Sequence, residues 1–314
     1  MTEAESGSWI CAFWRRIGAY VLDSLLLIAV GLLLGVFLES VFVAMEAWAV
    51  LVGYSIALAY FGIMNSAVAG GQTLAKKLLK IRVVNADNGS ISVARSLLRS
   101  AVLQVPFYLN GAVFSAESFP SWLIYPLSMI VFGGLFAIPY LYIFNRITRQ
   151  SLHDLVAGTY VVNADAERQA PEPVWRGHLL VVAVFFTAAL TVPAWMFPQV
   201  ESATVENLLA VQSALSDYPD VGIVTVTEGQ TTVNSTQGSS TTTFVSSRVR
   251  LTIDNVENEA LARQMATTVI EVYPGALDTD VIQVTLIYGY DIGIASQWTT
   301  YDHNFSPDML QPAQ

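Results

Sequence analysis

Arg16 and Asp23 stand seven residues apart at the start of a run that is otherwise largely apolar as far as Phe42. Seven residues is close to two helical turns, so the two side chains share a face, with Asp23 about 10 Å deeper at a rise of about 1.5 Å per residue. A carboxylate at that depth in hydrocarbon needs a partner, because an unpaired charge there is costly. Asp23 is therefore either a group that gains and loses a proton or a fixed member of an ion pair. Asp154 offers a second carboxylate. In Ser151-Leu152-His153-Asp154 it sits where a capping box places an acid, ready to accept from backbone donors at the start of a short helix. It can also pair with Arg16, and both can hold at once. The cluster Arg16, Asp23 and Asp154 thus has two readings: a clamp that holds helix ends together, or a direct part in transport. Lys76, Lys77, Lys80 and Arg82 form a basic block that either contacts anionic lipid head groups or simply fixes topology.

The elements that must position these residues are set by composition. Hydrophobic residues make up 54% of 314 and charged residues only 13%, where soluble domains carry roughly a quarter charged. The apolar residues are concentrated in Ile17–Phe42, Ala47–Met64, Trp122–Phe144 and Leu179–Phe197, each close to or above the roughly 20 residues that cross a bilayer as helix. The net charge of −10 is segregated, with basic residues before and between these stretches and most acidic residues after them. Short loops rich in Lys and Arg stay cytoplasmic, which puts Arg15 and Arg16 inside and Glu39–Glu46 outside. Keeping Arg146 and Arg149 inside as well requires Leu97–Ser115 to be a weak third span, although Gln104, Pro106 and Asn110 interrupt it. The expected fold is an α-helical polytopic membrane bundle of about five spans, followed by a small α+β soluble domain. The expected domains are a transmembrane part over 1–165, a linker and fifth helix over 166–198, and an extracytoplasmic domain over 199–314. No small-residue cleavage site follows the first span, so it is expected to be an uncleaved anchor.

In the tail, Glu206–Leu215 has helical spacing and stops at Tyr218-Pro219. Alternation over Val221–Thr225 predicts a strand, and a polar stretch Glu228–Ser240 separates it from a second strand ending at Val249, Leu251 and Ile253. Asn255 is placed to cap a helix Val256–Tyr273, and Val281–Tyr290 with Ile292–Thr300 reads as another hairpin. Helix, hairpin, helix, hairpin reads as a duplicated unit, with helices on one face of a sheet. In the membrane part, Ile81–Val84, the turn Asn85–Gly89 and Ser90–Val93 read as a small cytoplasmic hairpin, with Ser92 capping the helix that carries Arg95 and Arg99.

Little else suggests chemistry. Cys11 is the sole cysteine, so no intrachain disulfide can form, and it reads as an interfacial residue rather than a redox centre. His303 has no neighbouring His or Cys, Asp278-Thr279-Asp280 reads as a turn, and the Ser/Thr run Gly238–Thr243 reads as a solvated loop or strand edge. There is no metal-ligand spacing, nucleophile elbow or phosphate-binding glycine loop. No enzyme, cofactor, metal or nucleic-acid partner is expected; the bilayer, a second copy and other membrane proteins are the expected partners.

Three blocks carry a family resemblance: Phe13–Asp23, Gly71–Val84 (GQTLAKKLLKIRVV) and Arg149–Val162 (RQSLHDLVAGTYVV). In this order, with apolar stretches between them, they resemble the RDD family of bacterial membrane proteins, over roughly Trp14–Val162. The family's arginine falls on Arg16 and its two aspartates on Asp23 and Asp154; Ala75 departs from the glycine usual in the family. The resemblance implies an inner-membrane protein. It leaves two function classes: an anchor or scaffold with an outer binding or sensing domain, or small-solute transport, including the monovalent cation/proton antiport linked to some members.

Overall fold

The structure is a computed structural model that describes residues 9–110, 121–170, 172–196, 203–235 and 238–310. These divide into a helical unit and a sheet-based unit.

The described chain opens with α1 (Phe13–Met45), a 3-10 turn, Glu46–Ala49, and α2 (Val50–Met64), of which residues 35–49 group with the sheet-based unit and the rest with the helical one. Phe13–Met64, Ile124–Phe144 and Arg176–Trp195 are the three described stretches long and apolar enough to cross a bilayer. Many of their large side chains, among them Leu25, Leu33, Phe136, Leu180 and Val184, are exposed. Water would penalise such surface and hydrocarbon accepts it. The expected weak span Leu97–Ser115 falls in α4 (Val93–Asn110) as far as the described residues go, with 111–115 outside them. With Arg95, Arg99 and Gln104 on it, α4 is not among the three apolar stretches. The remaining helices are α3 (Leu74–Leu78), α5 (Ile124–Ser128), α6 (Gly134–Phe144), α7 (Leu152–Ala157) and α8 (Arg176–Met196). A π-helical segment, Met129–Gly133, joins α5 to α6.

Two short strands close the polar end of this unit: β1 (Ile81–Val84) and β2 (Tyr160–Asn163), paired antiparallel from Ile81↔Asn163 to Val84↔Tyr160. This corrects the expected local hairpin. The turn forms, with Asn85 N–H donating to Gly89 O at 2.9 Å, but Ser90–Val93 makes no strand. Ser92 is instead used as a cap, its Oγ accepting from Arg95 N–H at 3.3 Å. The run Tyr160-Val161-Val162, β-branched and aromatic, wins the pairing. Ile81, Val83, Ile91, Val161 and Cys11 form a small core, so Cys11 is buried rather than interfacial, and burial raises its thiol pKa.

The sheet unit follows the order helix, hairpin, helix, hairpin: α9 (Ala203–Ser216), β3 (Val221–Ser235), β4 (Gly238–Leu251), α10 (Glu259–Val272), β5 (Val281–Asp291) and β6 (Ser296–Phe305). The sheet order is β3-β4-β5-β6, antiparallel within each hairpin and parallel between β4 and β5. A parallel pair needs a crossover, and α10 supplies it. The parallel register sets Val245 beside Ile282 and Val249 beside Leu286 on one face, where Val211 and Leu215 of α9 and Met265 and Val269 of α10 join them in one core.

Three details differ from expectation. The polar stretch Glu228–Ser240 lies mostly in β3 and the start of β4, because Thr suits a pleated surface even where both faces are wet. Asn258, not Asn255, caps α10, accepting from Leu261 N–H at 3.0 Å and placing Glu259 in the first turn. Ile292 falls in the connection between β5 and β6, not in a strand.

A purified Val200–Gln314 fragment should unfold cooperatively, and Met265→Ala, which empties a fully buried position, should cost it about 2–5 kcal/mol in chemical denaturation. A broad, non-cooperative transition would contradict a self-sufficient core.

Candidate functional site

Asp154 enters the site through α7. Ser151 precedes the helix, and its N–H donates to Asp154 Oδ2 at 3.3 Å while its hydroxyl donates to Ile138 O at 2.8 Å. The helix ends at Gly158, whose φ of 57° lies in the left-handed region. There the carbonyls of Ala157 and Gly158 both accept from the Arg95 guanidinium. A side chain at 158 would be strained by that φ and would press on Arg95.

Asp154 is fully buried, and two guanidiniums meet it. Arg16 donates through Nη2 to Oδ2 at 2.6 Å, and Arg99 donates through Nε to Oδ1 at 2.9 Å with its Nη2 2.8 Å away. Thr159 Oγ1 adds a donor to Oδ1 at 3.2 Å. Burial alone would raise this carboxyl's pKa, but Arg99 and Arg16 hold it well below the usual range. Cap and ion pair therefore coexist. Arg16 also donates to Arg149 O and lies 4.7 Å from the Tyr142 ring centroid.

Asp23 has a different environment. Arg16 turns away from it to Asp154, and among the described residues no ion pair joins Asp23 to a cation. Three neutral donors hold it instead: Tyr60 Oη and Ala75 N–H to Oδ1 at 2.7 and 3.1 Å, and Thr73 Oγ1 to Oδ2. Thr73 and Ala75 belong to the GQTLAKK block. Thr73 also caps α3, and Gly71, at φ 76°, lets the loop run against Val83 where a Cβ would collide with its carbonyl. Alanine at 75 does not prevent its amide from reaching Asp23.

The basic block does not act as one group. Lys77 and Lys80 are exposed, Arg82 is half-buried, and Lys76 is turned inward, donating to Asn65 Oδ1. Lys76 is thus removed from the exposed basic surface and faces the cavity instead. Burial, Arg99 and Arg16 push its pKa down to about 7 against the pull of Asp23.

Arg16, Asp23, Lys76, Arg99 and His153 border a cavity of about 320 Å3 whose other walls are largely aromatic and aliphatic. Sequence reading missed Arg99, Tyr60, Thr73 and His153. Arg99 alone had a usable signal: it lies one turn beyond Arg95 on a helix too polar for a lipid-exposed span.

An apolar helical unit with a neutralised carboxylate at its polar end, joined to a sheet domain, defines an integral membrane protein. Residues 11–158 match the model of the RDD family. No curated protein and no solved structure matches it.

His153 supplies a pH test. Burial, aided by Arg99, Arg16 and Lys76, lowers its pKa from 6.5 to about 3 despite Asp154, so the folded protein keeps it neutral. The unfolded chain takes up that proton first, and stability is lost as pH falls from 6.5 towards 3. Between neutrality and about pH 5 the loss should be about 2 kcal/mol, read as a falling thermal midpoint of the solubilised protein. His153→Gln should flatten this dependence; an unchanged slope would show His153 free to protonate in place.

Proposed function

We propose that the RDD domain is a membrane anchor and scaffold, and that the sheet unit is an extracytoplasmic binding or sensing module rather than an enzyme. The observation that carries the scaffold role is the commitment of Asp154: both oxygens are taken by Arg16, Arg99 and local donors. A carboxylate held this way stays ionised and ties three segments together; it is a poor proton carrier. The charge asymmetry of the sequence supports an inner-membrane protein with five crossings, its N-terminus inside and its sheet unit outside. Exposed Lys77 and Lys80 are available to anionic head groups, and a second copy or another membrane protein is the expected partner.

One observation favours a second reading. Asp23 borders the cavity and is held by neutral donors only, as a carboxylate exchanging a monovalent cation for a proton would be. Proteoliposomes carrying the intact protein decide between the two. The scaffold predicts no sodium- or potassium-dependent collapse of an imposed pH gradient. Flux that Asp23→Asn abolishes without loss of assembly would replace the scaffold with an antiporter.

A further inference from the structure

The charges around the cavity do not balance. Arg16, Arg99 and Lys76 are all buried there, against the two carboxylates Asp23 and Asp154. Asp154 is shared by the two guanidiniums, and both oxygens of Asp23 are occupied by hydroxyl and amide donors. The Lys76 ammonium has three donors, and its one hydrogen-bond partner among the described residues is the neutral Asn65. A protonated Lys76 thus leaves one uncompensated positive charge in a place where such a charge is expensive.

A second, independent feature lies on the same wall. Ser100, one residue beyond Arg99 on α4, is 1% exposed and borders the cavity, yet its Oγ has no hydrogen-bond partner. His153 Nδ1 is also buried and unpartnered there. Buried hydroxyls and ring nitrogens are nearly always satisfied, and an unsatisfied pair beside a spare ammonium marks a place for polar ligand atoms. The rest of the lining is apolar, with Leu103, Phe107, Ile138 and Ile143 among it, and the volume of about 320 Å3 is within the size range of ligand sites.

We propose that this cavity binds one anionic amphiphile, its carboxylate or phosphate head between Lys76 and Ser100 and its apolar body along Leu103, Phe107, Ile138 and Ile143. The head supplies the missing negative charge and accepts from the Lys76 ammonium and the Ser100 hydroxyl. The neutral ring of His153 offers Nδ1 to a head-group hydroxyl or a bridging water. Bound this way, the ligand keeps Lys76 charged, whereas the empty site favours its neutral form. Such a site would exist in a scaffold and in an antiporter alike. The head group has two sources, a phospholipid of the bilayer or a free amphiphilic acid.

The test uses the full chain in phosphatidylcholine nanodiscs with a photoactivatable long-chain fatty acid and, as control, the corresponding alcohol. The acid should label Leu103–Phe107 or Ile138–Ile143 about tenfold more than the alcohol, and Lys76→Gln should remove that preference, a change of about 1.4 kcal/mol. Competition by added phosphatidylglycerol would assign the site to a bilayer lipid; labelling that resists it would assign the site to a free acid. Equal labelling by acid and alcohol, or an undiminished preference in Lys76→Gln, overturns the proposal. Should Lys76→Gln fail to assemble, Leu103→Trp, which fills the apolar part, must abolish labelling of those segments by the acid; labelling that persists overturns it.

Discussion

A carboxylate shut away from water has to be met by positive charge or by hydrogen-bond donors, and Asp154 is met by both. Its partners come from far away in the sequence: Arg16 from the start of α1 and Arg99 from α4. Much of the surrounding backbone serves to bring them together. Arg95, one turn before Arg99, grips the carbonyls that end α7, and Cys11 N–H donates to Val161 O at 3.0 Å, holding the entry to α1 against β2. The β1–β2 pairing then fixes the GQTLAKK block relative to α7. Taking two guanidiniums and a carboxylate out of water is costly, and here both carboxylate oxygens accept from a guanidinium while Arg16 also donates to Arg149 O.

The two aspartates of the family motif consequently have different physical roles. Asp154 is met by two guanidiniums. Asp23 is surrounded by dipoles, a tyrosine hydroxyl, a threonine hydroxyl and a backbone amide, and it borders open volume. Arg16 is taken by Asp154, so among the described residues neither Asp23 nor Lys76 has an ion-pair partner, although both border the cavity.

The residues of the motif were legible in the sequence, because a charge inside an apolar run can be recognised without knowing its neighbours. Their pairing was legible in part: the expected Arg16–Asp154 pair forms across 138 residues of sequence, whereas the shared helix face also suggested an Arg16–Asp23 contact that the arginine does not make. The role of Arg99 was hidden for a related reason: loop-proximal arginines usually report topology, and only the fold reveals one that is turned inward. β1 was recognised and mispaired, since its true partner lies beyond α4, α5, α6 and α7 and local turn chemistry pointed to Ser90–Val93. In the sheet unit, apolar alternation gave both hairpins and both helices; it missed the length of β3 and β4, whose outer halves are Ser and Thr and carry no apolar period. Span counting was the weakest reading, because α4 mixes buried polar residues with apolar ones and hydropathy cannot tell which face each occupies.

The central claim is that Asp154 and its two arginines act as one interaction holding the helical unit together, and a double-mutant cycle between Arg99 and Asp154 tests it most directly. Unfolding of the full-length protein in mixed detergent would be measured for Arg99→Met, Asp154→Asn and the double variant. Asp154→Asn, which strands two buried guanidiniums, should cost about 3–5 kcal/mol, and Arg99→Met, which leaves Asp154 to Arg16 alone, should cost less. The double variant should be less destabilised than the sum by a coupling of about 1–3 kcal/mol. Strictly additive effects, or single changes that cost almost nothing, would contradict the claim.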